Sequence, residues 1–210
     1  MSRTYTAFFY GTLLHPAILC RVIGHKGQKL EICPALLIDY TRHQIKHADY
    51  PAVLPYSRSR ALYEHDLASE ERVVRGTLVK GLEQPDIELL DTFEGDEYTR
   101  EDVPAYPLGP FVPLSSPESA AAAPLGTPPP LPPLDTLGPP VPAQTYVWAQ
   151  PVSQLSPTIW EYADFVRDSA HKWVGVGADA NADYVEVDRR RAMNGRIAAD
   201  EVTSIVVEKE

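Results

Sequence analysis

With 210 residues the chain lies a little above the usual single-domain range of roughly 100–200 residues, and its 44% hydrophobic and 23% charged content is that of a globular protein with a real core, which excludes a fibrous or wholly disordered chain. A formal net charge of −10 opposes a nucleic-acid grip, which needs a basic stripe; the longest basic run, Arg189-Arg190-Arg191, reads as a solvated surface turn. One domain with an insertion accounts for the length better than two domains do.

The apolar stretch Ala7, Phe8, Phe9, Tyr10 near the N-terminus is broken at once by Gly11, too short for a signal sequence or a membrane span. No later stretch approaches ~18 consecutive apolar residues, so no membrane partner is expected and cytoplasm is the expected compartment. The two cysteines, Cys20 and Cys33, fit no zinc or redox spacing and read as reduced, buried or half-buried thiols.

In chain order, Tyr5 to Tyr10 predicts a strand. A helix follows from Leu14 or His15, with Pro16 at its first position and Gly24 as a left-handed stop. Short apolar runs at Ala35 to Ile38, Arg42 to Ile45, Ala52 to Leu54 and Val73 to Val79 predict further strands. A second helix over about Pro85 to Phe93 stops at Gly95, and Tyr98 to Val103 returns as a strand. Such spacing suggests a small curled sheet or barrel, in an α+β class.

Between residues 104 and 143 lie fourteen of the 21 prolines and only two charges, Glu118 and Asp135. Proline removes backbone donors and fixes φ, so the segment predicts a disordered or polyproline-like insertion through which neither helix nor ladder propagates. Pro128-Pro129-Pro130-Leu131-Pro132-Pro133 is similar to SH3 or WW ligands, although a tolerated surface loop explains it as well and no Arg or Lys is present to orient it. Thr145 to Trp148 predicts another strand and Thr158 to Lys172 an amphipathic third helix carrying Trp160, Phe165 or Val166, and Trp173. Val185 to Asp188 and Val202 to Val207 read as a tail along the domain. The whole is one domain, 1–210, with the insertion at 104–143 and a helical and tail extension at 151–210.

Two segments carry candidate chemistry. Phe8 through Pro16 describes a strand, a tight Gly turn and a helix start, a junction that aims several unpaired amides at one point beside a partial positive charge and so suits a carboxylate. Any strand-Gly-helix connection looks alike, however. In Gln84 to Gly95 the helical period puts Glu94 on the face of Ile87 and Leu90. There, burial and the helix dipole would raise its pKa toward neutrality, as a general acid–base requires; the alternative is a glutamate frayed into water. Asp96, Glu97, Glu101 and Asp102 read as outward-facing residues of a turn and strand, and Tyr98 either lines a pocket or fills core.

Of six histidines only His43 and His47 share helical spacing, and they fall across a strand and turn, so no metal dependence is expected. Serine-hydrolase elbows, phosphate-binding loops and dinucleotide turns are absent from the sequence.

Together, Tyr10-Gly11-Thr12-Leu13 and Leu90 through Tyr98 (Leu-Asp-Thr-Phe-Glu-Gly-Asp-Glu-Tyr) resemble the γ-glutamylcyclotransferase-like, or AIG2-like, family, with Asp49-Tyr50-Pro51-Ala52 and Arg75-Gly76-Thr77-Leu78 similar to its intervening strands. The resemblance covers roughly residues 5–103 plus the Thr145 to Trp148 strand. It implies a small mixed β-barrel with flanking helices and a substrate carboxylate held by amides of Tyr10, Gly11, Thr12 and Leu13. It also implies Glu94 as the acid–base residue, while Tyr98 stays a candidate either to hydrogen-bond the substrate from the pocket wall or to fill core. The implied reaction is cofactor-independent release of 5-oxoproline from a small γ-glutamyl substrate. The competing expectation is a non-catalytic module that binds a small acid while the proline-rich loop recruits a partner.

Overall fold

The computed structural model describes residues 3–46, 48, 50–119, 129–160 and 162. Five strands close a mixed barrel: β1 (Tyr5–Phe9), β2 (Glu31–Ile38), β5 (Val73–Leu82), β6 (Tyr98–Pro107) and β8 (Val141–Trp148). Their order is β5-β1-β8-β6-β2, and pairing of β2 with β5 completes the ring, so none of the five presents a free edge along its full length. All ring pairings are antiparallel except β1 with β8, where Ala7 aligns with Gln144. The short strand β7 (Val112–Pro113) adds to the outer end of β2.

Alternation along each strand builds the interior. Phe8 and Tyr10, then Cys33, Ala35 and Leu37, Val74 and Leu78, Val103 and Ala105, and Ala143 pack into one cluster, every second residue of all five strands. Gly76 continues the series because a Cβ there would sit 2.3 Å from the Phe9 carbonyl and 2.5 Å from the Phe8 ring. The opposite parity, including Phe9, Val79, Tyr98, Tyr146 and Trp148, joins Ile18, Leu19, Val22, Ile87, Leu90 and Phe93 in a second cluster beneath the helices.

Those helices are α1 (Pro16–Ile23) and α3 (Gln84–Glu94), with a one-turn α2 (Tyr56–Ser59) between them. The start and stop signals of α1 act as expected, with Pro16 opening the helix and Gly24 closing it at φ 77°; in addition the His15 ring caps the Ala17 amide. Gly95, at φ 65° and ψ −161°, occupies a region open essentially only to glycine, which turns the chain sharply from α3 towards β6.

Asp39, at φ 61°, swings the chain out of the barrel after β2, a conformation that Asp tolerates. Hence β3 (Tyr40–Ile45) and β4 (Pro51–Pro55) form a separate three-stranded sheet with β9 (Leu155–Ile159), in the order β4-β3-β9.

Two expectations are corrected. The proline-rich segment is narrower than 104–143, because β6 runs through Pro104 and Pro107 and β8 begins at Val141. Pro104 faces Pro142 across the ladder, and the Leu108 amide donates to the Pro34 carbonyl, which leaves Pro107 between bonding positions where no N–H is required. The third helix does not begin at Thr158: Thr158 and Ile159 end β9, where Ile159 aligns with His43, and β-branched residues favour that extended pairing. The remainder of that helix from 163 on, the tail strands at 185–188 and 202–207, the Arg189 to Arg191 run, His47, Asp49 and Pro128 lie outside the described residues.

Among the described residues no helix is long and apolar enough to cross a membrane. Both cysteines are free thiols, Cys33 buried and Cys20 half-buried, and burial pushes both pKa values up.

Candidate active site

Where β1 leaves the barrel, a small pocket of about 20 Å³ is lined by Phe8, Phe9, Tyr10, Gly11, Thr12, Leu13, Tyr50, Pro51, Glu94, Tyr98 and Tyr146. The two sequence segments singled out for chemistry, about eighty residues apart, thus face one cavity. Tyr10 through Leu13 form one wall, and Glu94 and Tyr98 approach from the end of α3 and the start of β6.

The loop is set by close packing. Gly11 approaches Pro51 so nearly that a Cβ would lie 3.0 Å from the proline ring, which accounts for glycine at a position with an ordinary negative φ. Thr12–Leu14 form a single 3-10 turn in which the Leu14 and His15 amides donate to the carbonyls of Gly11 and Thr12. The first amides of such a turn have no acceptor within it and can point at a ligand. Behind the loop, Arg42 Nη1 donates to the Tyr10 carbonyl at 2.9 Å while its guanidinium lies 5.1 Å over the Trp160 ring.

Glu94 is half-buried, between the two situations the sequence left open: it ends the apolar stripe of Ile87 and Leu90 and lines the cavity. Tyr98 lines the cavity and also packs in the core. It is buried edge-on against Trp148 with ring centroids 5.4 Å apart, and its hydroxyl donates to the Pro51 carbonyl at 2.9 Å beside the cavity.

Glu97 does not face water as expected; it is buried, and accepts from the Tyr50 hydroxyl at 3.1 Å. The 3-10 turn Gly95–Glu97 breaks the strand alternation on which the outward reading of Glu97 relied. The described residues of the proline-rich segment from Pro129 through Gly138 line another cleft beside Arg75, Pro107 and Leu108, with Arg75 donating to the Pro129 carbonyl at 2.5 Å.

Sequence reasoning missed Tyr146, Asp91 and Arg100. Tyr146 is buried in β8 and its hydroxyl donates to Asp91 Oδ1 at 2.9 Å. Arg100 holds the same carboxylate, its Nε on Oδ1 at 2.8 Å and its Nη2 on Oδ2 at 3.2 Å. Burial, then the charges of Asp91 and Glu94, push the Tyr146 phenol far above its usual pKa, so it stays protonated. Asp91 precedes Glu94 by three residues on α3, a helical neighbour and so a detectable signal; Tyr146, inside an apolar strand, offered none.

A sequence profile described as "Gamma-glutamyl cyclotransferase, AIG2-like" matches residues 7–115, more than half of the chain. The chain belongs to this family. Among solved structures, two proteins of Arabidopsis thaliana are similar, one at 20% identity and TM-score 0.46 over 78% of this chain and 79% of its own, the other at 19% and 0.48 over 100% and 98%. A yeast protein described as a γ-glutamyl cyclotransferase specific to glutathione is 13% identical, with a TM-score of 0.46 over 91% of this chain and 96% of its own. No curated protein matches. Among the described residues of this AIG2-like chain no cluster of three or more His, Cys, Asp or Glu can hold a metal ion.

Proposed function

We propose that this AIG2-like protein is a γ-glutamylcyclotransferase, converting a γ-glutamyl amine or peptide into 5-oxoproline and the free amine with Glu94 as general acid–base. The observation that carries the reading is the convergence of Glu94, the Tyr10-to-Leu13 loop and Tyr98 on one pocket, in a chain of this family.

The Glu94 carboxylate takes a proton from the substrate's α-ammonium. The freed amine then attacks the γ-carbonyl carbon and closes a five-membered ring. As the tetrahedral centre collapses, the bond to the leaving nitrogen breaks and Glu94 gives that nitrogen its proton; the ring nitrogen then passes its second proton by the same carboxylate to the amine, which leaves as an ammonium. No water is consumed, and the carboxylate is regenerated.

Nucleophile and electrophile share one molecule, so holding the chain folded back contributes on the order of 7–11 kcal/mol. The loop amides serve to hold the α-carboxylate, and an N–H aimed at the developing oxyanion adds about 3 kcal/mol. Cytoplasm is the matching compartment, where Cys20 and Cys33 would stay reduced.

The test is 5-oxoproline release from a panel of glutathione, γ-glutamyl dipeptides and γ-glutamyl-ε-lysine. At least one member is expected to be turned over by the wild type, and Glu94→Gln is expected to lower the rate by about 100-fold or more with the melting temperature unchanged. Undiminished release by the folded variant would overturn the assignment of Glu94.

A further inference from the structure

The hydrogen bond from Tyr146 to Asp91 determines which way the phenol can face a ligand. Asp91, clamped by Arg100 at 2.8 and 3.2 Å, offers only acceptors, so the hydroxyl proton of Tyr146 must point to it. A phenol has a single proton. Once that is committed, the oxygen can present nothing but lone pairs to the cavity that Tyr146 helps to line with Glu94.

Resting on the cyclotransferase reading above, we propose that Tyr146 is a substrate-binding residue whose oxygen accepts a hydrogen bond from the α-ammonium of the γ-glutamyl moiety, alongside the Glu94 carboxylate. An ammonium carries three donors, and each one left unpaired away from water is costly. Two acceptors of unequal basicity suit the chemistry. Glu94 removes a proton; the neutral phenol oxygen, a far weaker base, keeps its hold on a remaining N–H while the nitrogen turns its lone pair to the γ-carbonyl. Asp91 and Arg100 act through Tyr146 as positioning residues, because without an acceptor at Asp91 the phenol would be free to turn its proton into the cavity and oppose the ammonium.

The full-length protein is titrated calorimetrically with L-glutamate and with glutarate, which differ only in the α-ammonium. The wild type is expected to prefer L-glutamate, and Tyr146→Phe, which keeps the ring, is expected to reduce that preference about tenfold while leaving glutarate affinity unchanged. A purely structural tyrosine would weaken both ligands alike. Equal changes for the two, an unchanged preference, or no preference in the wild type would each overturn the proposal. Glu94-dependent release of 5-oxoproline is measured in parallel. If it persists while the preference ignores Tyr146→Phe, this inference fails and the cyclotransferase reading stands; if no release depends on Glu94, the reading itself fails.

Discussion

Asp91–Arg100–Tyr146 beside the pocket and Thr41–His43–Ser59 between the second sheet and α2 are both networks of hydroxyls around an ionisable side chain, yet of the two only the first contains formal charges and adjoins the pocket. In the second, His43 Nδ1 faces the Ser156 carbonyl at 3.0 Å, which can only accept, so the ring carries its proton there and Nε2 accepts from the Thr41 hydroxyl at 2.9 Å. Thr41 and Ser59 are 2.6 Å apart, and all three side chains are buried. A satisfied neutral network of this kind stitches β3 to β9 and α2, whereas the charged one holds acceptors at the edge of a cavity. What separates a supporting network from one that can act on a ligand is the neighbouring space, not the residue types.

Breaking the sealed network therefore has its largest effect on stability. His43→Leu leaves Thr41 and the Ser156 carbonyl without their ring partner and is expected to cost about 2–4 kcal/mol in urea unfolding, with 5-oxoproline release per folded molecule unchanged. Arg100→Met is the mirror case. The ion pair is partly exposed, so its loss should cost no more than about 1 kcal/mol of stability. By releasing Asp91, and through it Tyr146, the same change should lower kcat/KM about tenfold, equivalent to about 1.4 kcal/mol.

A smaller, graded effect is expected from pH. Burial holds the pKa of His43 below the ordinary 6.5, with the Ser156 contact opposing in part, and burial likewise lowers that of His15. Below about pH 6.5 the unfolded chain binds protons that the folded chain refuses, so stability should fall as the pH drops through 6.5 towards the lowered folded values. Thermal melts across that window check the sign, and in His43→Leu the slope should flatten.

Most of the strands were legible because every second residue is apolar, as in Val74 and Leu78 against Arg75 and Thr77. The helix ends at Gly24 and Gly95 were legible for a local reason too, since the positive φ of each is a backbone state that a side chain resists. Periodicity does not reveal which strands pair. Nothing in β3 or β4 foretold that a single residue, Asp39, would divert them from the barrel into a sheet with a strand more than a hundred residues later. Thr158 and Ile159, the last two residues of the strand Leu155–Ile159, read as the start of a helix because their pairing partner is remote in sequence. At the site, Glu94 and the Tyr10-to-Leu13 loop were recognisable as local motifs, whereas Tyr146 gains its meaning only from the carboxylate it meets across 55 residues.

By itself the sequence determined the strand alternation, the glycine-terminated helices, the two motifs that mark the family and a proline-rich interruption, each of which depends on neighbours a few residues apart. Tertiary structure alone decided the closure of the barrel, the burial of Glu97, the cleft that Pro129 through Gly138 line beside Arg75, and the donor direction of Tyr146. The physical reason is that ring closure, burial and hydrogen-bond polarity are properties of groups brought together from distant parts of the chain, and a one-dimensional pattern carries no record of which distant group will arrive.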